Sequence, residues 1–420
     1  MGLRQGARAR DARAVPRDEE RHRLDRRPSD QPLRAVAASP YRWAVLAAGT
    51  VAQASFSAST VGLGVLAPVL REDYGLSLGQ VGALLSAVWV GACITLLPWG
   101  LAADRYGERL VLTLGLAGSA ACLVGAAGAG SFEALFVSLV LSGAAGASVN
   151  AASGRAVMFW FSPSERGLAL GIRQTAIPLG TLLVAIVVPP LAAEGGSEAA
   201  FLFLAGLSAA GAAVGGLFLR DRARNEIELE PVARTLRDRR IWRLSFASAL
   251  YVYTQVAIIG FGVLFLHDEH DLDDADAALV IGVALLLGVA SRIGAGRWSD
   301  VVGSRIGPLR RLGLALACSL ALTAGLAAGP LGLLVASIAI AGGLSLAWNG
   351  LAFTAAAELA GAARSGAALG LQQTVLSAGG MIGSPVFAAT VSGASWPAAF
   401  AIAALFPVAG SLALRPLRGR

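Results

Sequence analysis

Two strings in the chain share the pattern G-x-x-x-D-x-x-G-x-R, one from Gly100 to Arg109 and one from Gly296 to Arg305. Glycine lets two backbones approach closely or turn tightly, and an aspartate can cap a helix N-terminus or pair with an arginine. Asp104, Arg105 and Arg109, framed by Gly100 and Gly107, are therefore candidates for an electrostatic contact between helix ends; so are Asp300 and Arg305 with Gly296 and Gly303. A second group lies inside apolar runs, where a polar side chain must find a partner or face water. Gln53, Ser57 and Thr60 share one helical face, as do Tyr251 and Gln255, while Ser148, Asn150, Trp348 and Asn349 sit in two further runs. Arg155 and Arg173 are the two cations well inside such runs, with Gln174 beside the second; Gln372 and Gln373 hold the matching places later in the chain. An arginine at the centre of a membrane helix costs roughly 2.5–3.5 kcal/mol, less near an end. Two readings stay open for both arginines: snorkelling or gating near a membrane surface, and recognition of an anionic group on a solute.

The elements that must position these residues follow from composition. Of 420 residues, 55% are apolar and 15% charged, with mean hydropathy +0.65, a balance that calls for a lipid solvent. A membrane-spanning helix needs roughly 20 mostly apolar residues. Such runs occur near 43–70, 80–102, 110–129, 132–160, 167–192 and 198–219, and again near 241–266, 277–296, 309–328, 331–357, 367–391 and 396–414. This predicts an all-α membrane protein of about twelve transmembrane helices in two six-helix bundles, 41–219 and 241–414. Residues 220–240, with their runs of charge, read as a cytoplasmic linker, and 1–40 and 415–420 as cytoplasmic tails, the first disordered.

Internal repetition supports the division. An offset of 196 to 199 residues carries Gly62-Leu-Gly-Val-Leu66 onto Gly260-Phe-Gly-Val-Leu264, the Gly100 string onto the Gly296 string, Asn150 onto Asn349, and Gly167–Thr175 onto Gly366–Thr374. All 34 basic residues are Arg, and in this topology only Arg71 falls in an outer loop. That bias orients both termini to the cytoplasm, and it accounts for the high pI without a nucleic-acid partner.

The string Gly100-Leu-Ala-Ala-Asp-Arg-Tyr-Gly-Glu-Arg109 resembles the signature loop of the major facilitator superfamily, as does Asp73–Gln80 before it, and the resemblance extends over 41–414. It implies a plasma-membrane permease that moves a small solute by alternating access. Helices 1, 4, 7 and 10 would line the pathway, and the two loops would latch one conformational state. Glu108 stands where a basic residue is common in that family, and Val301 replaces the Arg of the first copy, so the second copy is expected to be the weaker latch. Arg173 against Gln372 breaks the repeat, which points to an organic anion; a proton-coupled drug or sugar exporter and a non-transporting sensor of the same fold are the alternatives. No carboxylate lies deep in a run, so a buried proton relay is not visible.

Other chemistry finds no support. Gly75-Leu-Ser-Leu-Gly79 matches G-x-S-x-G but lacks a strand before it and a His–acid pair to serve it. Cys93, Cys122 and Cys318 lie in apolar runs, and His267 and His270 lie in an acidic loop without ligand spacing. No enzyme activity, cofactor or metal site is expected, and the chain should work as a monomer.

Overall fold

The computed structural model describes residues 39–221 and 232–417. The expected tail up to residue 38, the middle of the linker (222–231) and the last three residues lie outside that set. Among the described residues all regular structure is helical. Eleven stretches are long and apolar enough to cross a membrane, and one of them, Arg166–Phe218, has 53 residues. At 1.5 Å per residue that stretch would run about 80 Å, far beyond a hydrocarbon core of about 30 Å. It breaks at Gly195 and Gly196, where φ is −127° and then +63°, a turn that glycine permits. Two passes result, and the total is twelve.

In chain order these are α1 Tyr41–Tyr74, α2 Leu78–Tyr106, α3 Glu108–Ala127, α4 Phe132–Trp160, α5 (166–194) and α6 (197–218). The second set is α7 Arg239–His270, α8 Asp274–Val302, α9 Ile306–Leu326, α10 Leu331–Ala360, α11 Ser365–Gly393 and α12 Trp396–Ala413. Local chemistry sets the starts. Ser77 and Gln80 form a reciprocal capping box at α2, and Ser131, Asp273 and Ser395 cap α4, α8 and α12. Large apolar side chains such as Leu217, Leu279, Leu286 and Leu405 remain exposed, as lipid-facing helices require.

Each six-helix bundle has its own core. One apolar cluster draws only on residues 45–219 and another only on 253–404. A third, from Leu46 and Met158 to Ala357 and Leu414, joins the two bundles at one end. That end carries Tyr41, whose hydroxyl donates to the Phe218 carbonyl, and Trp160, whose indole donates to that of Arg220. It is called the linker end below.

Candidate functional site

At the linker end the two bundles are tied reciprocally. Asp104, in the last turn of α2, accepts from the backbone N–H groups of Gly366 and Ala367 at 2.9 and 2.8 Å, in the first turn of α11. Asp300, in the last turn of α8, accepts from Gly167 and Leu168 at 3.0 and 2.8 Å, in the first turn of α5. First-turn amides have no carbonyl partner in their own helix, and the helix dipole adds to their attraction for a carboxylate. Gly100 packs against Gly366 and Gly296 against Gly167, so closely that a Cβ on any of the four would meet the opposing backbone. The repeat in the sequence is thus a two-fold exchange of caps in space.

Arginines complete each tie with opposite polarity. In the first, Arg155 of α4 donates to Asp104 at 2.9 Å and to Glu108, which opens α3. In the second, Arg305 before α9 donates to Asp300, to Ser299 Oγ, to the Pro163 carbonyl and to Glu358 of α10. Burial would pull the Arg305 guanidinium down, yet Glu358 and Asp300 more than offset it and hold it above its ordinary value. The second copy is therefore as heavily bonded as the first, contrary to the expectation drawn from Val301, because Arg105, the counterpart of Val301, takes no part in the first tie. Arg155, expected in the solute pathway, is pulled to the linker end by two carboxylates. Arg105 and Arg109, expected in the latch, have exposed side chains: Arg105 lies over Tyr106, and among the described residues Arg109 bonds through its backbone N–H, which donates to Asp221. Gly107 and Gly303 take φ of +92° and +66° and so make the turns.

Deeper in the first bundle, Arg173 is the centre of a buried polar cluster. The stretch Arg166–Gln174 is a regular helix, and Pro178 deprives the Gln174 carbonyl of its helical donor, so the chain breaks at Thr175. At that break the Arg173 side chain reaches α1 and α4. Its Nε donates to Ser153 Oγ at 2.7 Å, Nη1 to Gln174 Oε1 at 3.0 Å, and Nη2 to Gln53 Oε1 at 2.7 Å and the Asn150 carbonyl at 2.9 Å. Gln53 in turn donates to Asn150 Oδ1 at 3.3 Å. Arg173 is 1% exposed, and among the described residues no carboxylate pairs with it. Neutral acceptors satisfy its N–H groups without cancelling its charge.

The second bundle repeats the amide pair without the cation. Asn349 donates to Gln255 Oε1 at 3.5 Å across α10 and α7, beside a π-helical turn at Val256–Gly260. In the place of Arg173, Gln372 donates to Ser248 Oγ at 3.3 Å; its Oε1 and Trp348 Nε1 are buried with no hydrogen-bond partner among the described residues. Gln373 is half-buried. Two expected pathway residues point elsewhere. Tyr251 turns into its own bundle, bonding Ser411 Oγ at 3.0 Å with its ring edge-on to Trp348, and Ser57 packs against Gly180 of α5.

Nothing in the sequence pattern marks Ser153, Glu358 or Arg292 as pathway or latch residues. Ser153 lies two residues from Arg155, and Glu358 ends an apolar run. Arg292, one turn before Gly296, bonds the Leu346 carbonyl of α10 at 2.9 Å and the Gln174 carbonyl of α5. A cavity of about 980 Å³ lies at the linker end beside Arg305, Glu358 and Ala355, away from Arg173.

The profile described as Major Facilitator Superfamily matches residues 49–384. An uncharacterized MFS-type transporter of Mycobacterium tuberculosis is 36% identical over 386 residues, covering 90% of this chain and 85% of that protein. The hexuronate transporter of Bacillus subtilis is 22% identical over 253 residues, 57% of this chain and 60% of its own. Among solved structures, the E. coli transporter FucP in its outward conformation superposes with a TM-score of 0.73 at 15% identity, over 92% of this chain and all of that one.

Proposed function

The chain belongs to the major facilitator superfamily of solute transporters, and from that premise we propose that its solute is a small organic anion held at Arg173. The observation that carries this reading is the fully buried Arg173 guanidinium, ringed by neutral acceptors and paired with no carboxylate among the described residues. A carboxylate on a solute is a stronger acceptor for that fork than Gln53 or Gln174, because both partners are charged and two parallel bonds can form. The amide ring holds the site in order until the anion displaces it. The neutral Gln372 at the equivalent place supports a site that is asymmetric by design rather than a structural need of both bundles. A hexuronate is itself a carboxylate, so the named relative supports the same class.

We read the linker end as cytoplasmic, a reading the arginine bias supports, and the membrane as the plasma membrane. With that orientation the reciprocal caps close the cytoplasmic side, and the pathway opens outward. Among the described residues every hydrogen bond between the bundles lies from Gln174 toward the linker end. Alternation would require Asp104 and Asp300 to release their amides while the outer ends of α2, α5, α8 and α11 come together. One copy contains both bundles and both latches, and we read it as a transporter that works alone and does no covalent chemistry.

The test is solute affinity in Arg173→Lys and Arg173→Gln, reconstituted at matched protein content and offered a panel of sugar acids, carboxylates and neutral sugars. Both variants should weaken carboxylate binding at least tenfold, Gln more than Lys, since Lys lacks the planar fork. Carboxylate affinities unchanged in both variants would remove Arg173 from the site.

A further inference from the structure

Arg173 is not the only buried cation without a carboxylate. Arg292 of α8 is 1% exposed, and among the described residues its hydrogen bonds go to two backbone carbonyls, Leu346 and Gln174. The second is the carbonyl that Pro178 leaves without a helical donor. Gln174 is therefore gripped twice: its side chain by Arg173 of its own bundle, and its backbone by Arg292 of the other. Gly171, one turn earlier, lies so near the Arg292 carbonyl that a Cβ there would come within 2.6 Å of it. Two guanidinium groups, one from each bundle, thus converge on one residue at the innermost of the hydrogen bonds between the bundles.

Resting on the reading of Arg173 as an anion site, we propose that Arg292 is its second cation and that the site selects solutes bearing two anionic groups. A carbonyl dipole satisfies a guanidinium N–H but leaves its charge in place. Two uncompensated cations that share Gln174 raise the free energy of the unloaded site, and a single carboxylate neutralises only one of them. A dianion neutralises both. Arg292 must let go of the Gln174 carbonyl to reach the solute, and that bond joins the bundles. Taking up the second anionic group therefore loosens the innermost tie between them, and loading is linked to opening of the linker end.

Matched probes separate charge from size: galactarate against galacturonate, and succinate against butyrate, each titrated by calorimetry onto the full-length protein in lipid nanodiscs. Wild type should bind the dianion of at least one pair tenfold or more tightly than its monoanion. Arg292→Gln should reduce that ratio below threefold, by a larger loss of dianion than of monoanion affinity. Arg292→Lys, which keeps the charge, should retain most of the preference, and it decides the matter if the Gln variant does not purify. Arg173→Gln should weaken both members of each pair. A wild-type ratio near one, an Arg292→Gln ratio equal to wild type, or an equal loss for both members on changing Arg292 would overturn the proposal; equal loss would mark Arg292 as a structural tie alone. Normal binding of every anion by Arg173→Gln defeats the earlier reading, and the second-cation proposal with it.

Discussion

Glu108 and Arg155 form a buried ion pair in which the loop carries the acid and the neighbouring helix the base, the reverse of Arg305 and Glu358 in the second bundle. Arg155 also holds Asp104, so one cation compensates two carboxylates. Removing Arg155 strands both, whereas removing the Glu108 charge leaves the pair with Asp104. Breaking a buried pair so that a charge is uncompensated costs about 3–5 kcal/mol. Arg155→Gln should therefore lower the melting temperature in detergent far more than Glu108→Gln. Equal shifts for the two variants would show that the pairs do not share the cation.

The reciprocal caps make a second prediction. Asp104→Asn replaces a carboxylate that accepts two amide bonds with a group that can turn only one oxygen to them, and it removes a charge that the dipole of α11 favours. A lost cap is worth about 0.5–2 kcal/mol, a shift of roughly 2- to 30-fold between closed and open forms. Transport should fall without loss of membrane insertion. In an Ala355→Cys background, whose native residue is buried beside the linker-end cavity, labelling by a membrane-impermeant thiol reagent should rise. Unchanged transport and unchanged labelling would sink the assignment.

Steric closure can be tested apart from charge. Gly100→Ala and Gly296→Ala place a methyl group against the backbones of Gly366 and Gly167, and neither backbone can yield without parting the bundles. Gly325→Ala in α9 meets open space and is the control. Transport should drop more than tenfold in the first two and stay within twofold in the third. Activity retained in Gly100→Ala would mean that closure does not need this contact.

Much of this arrangement is legible in the sequence, and the reasons are physical. Apolar runs of the length of a bilayer fix the passes, and the repeated G-x-x-x-D-x-x-G-x-R strings mark matched helix ends because glycine and aspartate at that spacing suit close, capped crossings. The amide pairs Gln53–Asn150 and Gln255–Asn349 could be suspected from the polar faces of α1, α4, α7 and α10. Partner choice was not legible. Periodicity places Tyr251 on a polar face but does not say that its hydroxyl turns to Ser411 rather than to the pathway. Arg155 and Arg173, 18 residues apart, look alike as intramembrane arginines; only the positions of Asp104 and Glu108 in space send the first to the latch. Glu108 in a place where a basic residue is common was the one written hint, since an acid there calls for a base nearby.

The four amides that Asp104 and Asp300 hold are also a clock. Gly167, Leu168, Gly366 and Ala367 have no carbonyl acceptor within their own helices, and in the closed form carboxylates of the opposite bundle shield them from solvent. When the bundles part at the linker end these protons meet water at once, while amides one turn further along stay locked in helical bonds. Deuterium uptake at these positions counts openings directly, and a ligand that changes the opening rate changes their exchange, whatever the solute proves to be.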